Sequence, residues 1–237
     1  MAADGGRVDP AEASAVGENP EPPPPALDVA TRVFLVRHAV TPFTEAGRVD
    51  GRGGADPDLS DTGRDQARRA AEAVRALVET TDAAGDVHLV TSSLARTVQT
   101  GAAIAAALDV HPVLDDDWDE QSFGDWDGEV FVELATHQAD DLMRLWQDRD
   151  YRRPGGESLA ELETRVLRAY EKALEAGGTT VVVTSRKPIL VVLARVLGID
   201  EQRFWALTTD PASLTAVELW PDGRASVPFV NRTAHLA

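Results

Sequence analysis

The stretch Val33-Phe34-Leu35-Val36-Arg37-His38-Ala39-Val40-Thr41 decides the fold. Four apolar residues in succession show neither helical spacing nor alternation. That is the pattern of a strand buried on both faces, as in a parallel sheet covered by helices. The run ends in an arginine and a histidine, so the strand delivers two ionisable side chains at its carboxyl end. In open α/β sheets, ligands bind beyond those ends.

Outward from this strand, apolar runs alternate with helical patterns. A helix is predicted over about Asp61 to Val78, with Gln66, Ala70, Val74 and Leu77 along one stripe. Val87 to Thr91 reads as a second strand, and Leu94, Val98, Ala102, Ala105 and Leu108 recur behind it at helical spacing. Ser158-Leu159-Ala160-Glu161 has the capping-box pattern and opens a helix running to about Glu175, which Gly177-Gly178 stops. Thr179 to Val183 is the most β-rich run, and a helix from about Pro188 to Val196 follows it. Leu214 to Leu219 and Ser226 to Val230, split by Pro221-Asp222-Gly223, read as a hairpin. The alternation predicts an α/β three-layer sandwich with a mainly parallel sheet flanked by helices and an antiparallel edge. Asp125 to Arg153 reads as loop and carries no legible code for specificity.

Composition bounds the function. The 237 residues hold 23 basic and 40 acidic side chains, a formal net charge of −17. So acidic a chain has no general attraction to nucleic acid or to an anionic membrane face. The absence of cysteine excludes disulfides, thiol nucleophiles and cysteine-ligated metals. No run approaches the roughly 18 apolar residues of a membrane helix, and the first residues lack a signal pattern. A soluble, cytoplasmic protein is expected. Residues 1–31 stand apart, with six of the fourteen prolines, six acidic residues against one arginine, and no aromatic residue before Phe34. They read as a disordered acidic tail, leaving residues 32–237 as one domain with −12 of the charge.

Three strand exits and one further segment carry the chemistry. The exits are Arg37-His38, Ser92-Ser93-Leu94-Ala95-Arg96 and Ser185-Arg186-Lys187, and the segment is Glu120 to Gly128. A neutral imidazole can attack phosphorus, and arginine forks bind phosphoryl oxygens in pairs. A carboxylic acid can protonate the departing oxygen and then deprotonate water. The acidic run Asp115, Asp116, Asp117, Asp119 reads as a solvated loop, with a divalent-metal site as the sharper alternative.

These motifs together resemble the histidine phosphatase superfamily, the phosphoglycerate-mutase-like family. The likeness rests on Val33 to Thr41, Gly47-Arg48 with Gly51, Leu59-Ser60-x-x-Gly63-x-x-Gln66-Ala67, Ser92-x-Leu94-x-Arg96 with Thr100, Glu120 to Gly128, and Pro154 to Ser158. Within the family, Gly51-Arg52-Gly53 and Asn231 to Leu236 are most similar to the short phosphatase-type members. The resemblance implies that His38 is the phosphorylated nucleophile, that Arg37 and Arg96 hold phosphate, and that Glu120 handles protons. It places Thr41, Thr44, Arg48 and Ser185 around the substrate, with no metal and no cofactor, and Arg186, where the family has small or neutral residues, is expected to join them.

Departures matter as much. The family's second catalytic histidine precedes x-x-Pro-Ile, and here Ser185 stands at that register in Thr184-Ser185-Arg186-Lys187-Pro188-Ile189. Removing one such donor typically costs ~10²–10³ in rate. Ala39 replaces a glycine, and Thr44 stands where many members have asparagine. None of His88, His111, His137 or His235 lies in a segment suited to replace the lost imidazole. Either Arg186 or Lys187 stands in for it, or both face solvent at the helix start. The resemblance therefore implies a phosphomonoesterase acting on a small phosphorylated metabolite through phosphohistidine at His38. A catalytically impaired phosphate-binding relative is the alternative, and a mutase a more distant one.

Overall fold

A computed structural model of the chain describes residues 31–80 and 86–237. Six strands form one sheet: β1 (Thr31–Arg37), β2 (Val87–Thr91), β3 (Pro112–Leu114), β4 (Gly178–Thr184), β5 (Leu214–Leu219) and β6 (Ala225–Arg232). Their order across the sheet is β3-β2-β4-β1-β5-β6. The first four neighbours run parallel, while β5 is antiparallel to β1 and β6 to β5. The sequence predicts five of these strands and the helices that flank them, but not the edge strand β3, whose three residues are exposed and pair with β2. The expected acidic tail falls on residues outside those described, except Thr31. That residue opens β1, paired with Gly178 and Leu219, so the strand begins one position before the expected domain boundary.

Unbroken apolar sequence in β1 is explained by its two faces. Val33 and Leu35 pack into one core with Leu162 and Val166 of α6 (Leu159–Glu175) and Ile189 and Leu193 of α7 (Arg186–Leu197). Phe34 and Val36 pack into the other with Ala71 and Val74 of α2 (Asp61–Thr80) and Ile104 of α3 (Ala95–Leu108). In β4, Val182 serves the first core and Val181 and Val183 the second. Helix α6 begins where the sequence places it, with Ser158 Oγ accepting from Glu161 N and the Glu161 carboxylate accepting from Ser158 N. Such a cap contributes about 1 kcal/mol.

This layering fixes the site. The chain leaves β1 toward the α2 side and leaves β4, its parallel neighbour, toward the α7 side. Adjacent strands departing to opposite faces open a crevice at their carboxyl ends, the switch point of an α/β sheet. His38 N donates to Thr184 O across it at 2.8 Å.

The segment read as loop over Asp125 to Arg153 contains two helices, α4 (Phe131–His137) and α5 (Ala139–Gln147). Both lack a side-chain N-cap and meet at Gln138, so no start or stop signal marks them. They hold together through Leu134, Leu142 and Leu145, which bury against Trp126. Among the described residues, no helix is long and apolar enough to cross a membrane.

Candidate active site

A cavity of about 570 Å³ lies at the crevice, lined on one side by Arg37, His38, Glu120, Arg186 and Lys187. His38 follows β1 directly and is 4% exposed. Its Nδ1 lies 2.8 Å from the Ala39 carbonyl. A carbonyl can only accept, so Nδ1 carries the proton and Nε2 keeps its lone pair. Burial holds the imidazole well below its ordinary pKa, and the positive charges of Arg96 and Arg37 push it the same way. The ring is therefore neutral at physiological pH.

Arg37 donates to Thr209 O at 2.6 Å, while its Nε is buried without an internal partner. Desolvation lowers its pKa to about 10, partly offset by Glu120, and leaves it charged at neutral pH. Arg96, on the first turn of α3, is fully buried and held by carboxylates. Its guanidinium donates to Asp50 Oδ1 at 3.1 Å, Asp56 Oδ1 at 3.4 Å and the Asp50 carbonyl at 2.9 Å. Arg96 thus acts on His38 through its charge, but it does not line the cavity. Burial raises the Asp50 pKa against the opposing pull of Arg96.

Glu120 lies in the chain between two short 3₁₀ turns, Asp116–Trp118 and Gly124–Trp126. Its Oε1 accepts from Gln121 N at 2.8 Å and its Oε2 from Lys187 N at 3.3 Å, so the amino end of α7 points a backbone donor at the carboxylate. Arg165, on α6, fixes this segment from behind. It donates to the carbonyls of Asp117, Asp119 and Glu120 and to both Glu157 oxygens, each at 3.0 Å or less. The sequence reading passed over Arg165, although an arginine three residues after Leu162 on an apolar stripe was a usable signal. Gly124 completes the bend at φ +59°, where a Cβ would stand 2.0 Å from Pro154 O.

The remaining predicted residues divide. Thr44, Arg48 and Arg186 line the cavity. Thr41 and Ser185 do not. Thr41 is fully buried and caps the short helix α1 (Pro42–Glu45), accepting from Thr44 N. Ser185 occupies the N-cap position of α7 but makes no capping bond, and its buried Oγ has no internal partner. Arg48 reaches Gly128 O at 2.7 Å and lies over the Phe43 ring.

Lys187 overturns the reading that both cations face solvent. It is 6% exposed, with Nζ donating to Gln121 Oε1 and lying 4.2 Å from the Phe123 ring centre and 5.2 Å from that of Trp205. Desolvation lowers its pKa to about 7, opposed by Glu120. The acidic run also differs from a solvated loop. Asp119 is buried, accepting from Ser93 N and Oγ, and burial raises its pKa. Asp117 pairs with Arg168 and Lys172, which hold its carboxyl below the usual range. Carboxylate oxygens of Asp115, Asp116 and Asp117 come within 4.8 Å of one another, but Lys172 also reaches Asp115, so Lys172 and Arg168 offset part of the group's charge.

An α/β sandwich with a histidine and a charged arginine at the exit of β1, and a carboxylate facing the same cavity, sets an uncharged nucleophile beside a cation and a proton-handling group. The family model of the histidine phosphatase superfamily (branch 1) matches residues 33–232, and the chain belongs to that superfamily. It is 35% identical over 214 residues to the bifunctional protein Rv2228c of Mycobacterium tuberculosis, covering 89% of this chain but only 56% of that protein's length. It is 31% identical to phosphoserine phosphatase 1 of Hydrogenobacter thermophilus, covering 86% of this chain and 94% of that enzyme. Among solved structures, Bacillus stearothermophilus YhfR superposes with a TM-score of 0.75 at 22% identity, covering 88% of this chain and all of that one.

Proposed function

We propose that this chain is a phosphomonoesterase acting on a small phosphorylated metabolite, with His38 as the phosphoryl acceptor. The observation that carries the reading is the fixed tautomer: Nδ1–H on the Ala39 carbonyl leaves a neutral Nε2 beside Arg37 and Glu120 at one cavity. In the first step the Nε2 lone pair attacks phosphorus, the ester P–O bond breaks, and Glu120 in its acid form protonates the departing alkoxide. In the second, Glu120 takes a proton from water, the hydroxyl oxygen bonds to phosphorus, and the P–N bond breaks to release inorganic phosphate and neutral His38. Arg37 stabilises the phosphoryl oxygens, and its partnerless Nε is a donor suited to the same charge.

Ser185 stands for the family's second histidine in this reading. A hydroxyl is shorter than an imidazole and bears no charge, so turnover is reduced ~10²–10³-fold relative to a histidine at that position. Arg186 is the cation placed to make up part of that loss: both it and Lys187 line the cavity, but Lys187 is committed to Gln121 and two rings. A second reading, a phosphate-binding relative without useful turnover, is favoured by the two carboxylates that hold Arg96 outside the cavity wall. Turnover of an aryl phosphate by the wild type, His38→Ala and Ser185→His separates the two. The phosphatase reading requires wild-type turnover above His38→Ala and a gain of about 10²-fold in Ser185→His. Wild-type turnover equal to His38→Ala overturns it.

A further inference from the structure

We infer that the alcohol half of the substrate is apolar: an aryl or branched-alkyl group esterified to the phosphate, seated against the wall that α4 and α5 build. This deepens the phosphomonoesterase reading and rests on it for the position of the phosphoryl group. The cavity, at about 570 Å³, has the size of a small-molecule site rather than that of a single phosphoryl group. Its two sides differ in chemistry. The strand-exit side carries the histidine, the carboxylate and the cations. Every residue that α4 and α5 send to the other side is apolar: Phe131, Leu134, Leu142, Leu145 and Trp146.

The tryptophan donors on that wall are occupied elsewhere in two cases. Trp126 Nε1 donates to Gln138 Oε1 at 2.7 Å, and Trp205 Nε1 to the Trp146 carbonyl at 3.4 Å. The hydroxyls of a sugar, or the ammonium and carboxylate of an amino acid, would find lining the cavity from α4 and α5 no polar side chain but the Trp146 indole, the polar lining of Thr44, Arg48 and Asp50 lying on other segments. Each such mismatch costs roughly tenfold or more in binding. An apolar group meets no such penalty. It would also cover Phe131 and Trp146, large apolar side chains that are 43% and 39% exposed on this cavity's rim. Trp146 and Trp205 stand 6.3 Å apart at 47°, a direct aromatic pair, and both line the cavity. Trp205 also faces Lys187, so one ring joins the apolar wall to the cationic side.

The test uses the full chain and two pairs of probes. The ratio of kcat/KM for phenyl phosphate over phosphoserine is expected to be about tenfold or more, and Trp146→Ala and Phe131→Ala each lower that ratio several-fold. Both side chains are at the rim, so the variants leave the core intact. In parallel, the Kd of phenylphosphonate is expected to be about tenfold below that of methylphosphonate, with the gap shrinking in Trp146→Ala. Equal kcat/KM values, or a gap between the phosphonates that survives both substitutions, overturn the inference. If no ester turns over, the phosphomonoesterase reading fails on its own, and the phosphonate pair still decides this one: a gap that shrinks in Trp146→Ala upholds the apolar wall, and equal affinity, or a gap that survives the substitutions, refutes it.

Discussion

Replacing Lys187 with methionine should stabilise the protein, and the structure gives the size and pH dependence of the effect. The lysine is buried at the start of α7, and its ammonium donates to the neutral Gln121 Oε1, its one side-chain hydrogen bond among the described residues. A fall in pKa from 10.5 to about 7 corresponds to about 5 kcal/mol against the charged form. The Phe123 and Trp205 faces return about 0.5–2 kcal/mol each, and methionine keeps the packing while losing that attraction. The net gain expected at pH 6 to 7 is thus about 2–3 kcal/mol, a rise in Tm of roughly 4–10 °C for a domain of this size. The sign across pH follows from proton counts. Between about 7 and 10.5 the unfolded chain keeps the Lys187 proton and the folded protein has released it, so wild-type stability rises with pH through that window. The gap between variant and wild type is therefore widest below pH 7 and closes toward pH 10.5. Thermal melts of both proteins across pH 6 to 10 measure it. A variant less stable than wild type at pH 7, or a gap constant across the series, refutes the reasoning. Inorganic phosphate should then stabilise the wild type more than Lys187→Met, because an anion in the cavity offsets the buried charge.

Two further outcomes follow from the hydrogen bonds around the site. Arg165→Met leaves the half-buried Glu157 without its bidentate partner and frees three carbonyls behind Glu120, so a loss of about 2–4 kcal/mol is expected in denaturant unfolding. As a positioning residue it should lower kcat more than it raises KM, whereas equal changes in both would make it purely structural. Nitrogen-15 NMR of labelled histidine should show His38 neutral at about pH 6 with its proton on Nδ1, because burial, Arg96 and Arg37 all lower its pKa. The unfolded imidazole binds a proton near 6.5 and the folded one does not, so this residue's contribution to stability is complete above that value and is lost as pH falls below it.

The sequence made the central strands legible because Val33 to Val36 of β1 and Thr179 to Val183 of β4 are buried on both faces and so contain nothing but apolar and β-branched residues. It showed His38, Arg37 and Glu120 for a related reason: charged groups at strand exits and beside an aromatic-glycine bend stand out against such runs. What it hid depends on distant partners. Lys187 looks like a solvated helix-start cation until Phe123, Gln121 and Trp205, from segments far apart in the chain, close over it. Arg96 looks like a free phosphate ligand until the segment around Asp50 folds back and clamps it across 46 residues. Helices α4 and α5 escaped notice because they are short and uncapped, and their apolar residues mark a cavity wall as much as a core.

The account stands on His38 as the phosphoryl acceptor. Wild-type protein mixed briefly with phenyl phosphate, denatured in alkali to preserve phosphohistidine and mapped by peptide mass spectrometry tests this directly. One phosphoryl group, labile in acid and located on His38, is the predicted result. Turnover of the ester with no phosphoryl group on His38, or with undiminished rate in His38→Ala, would contradict it.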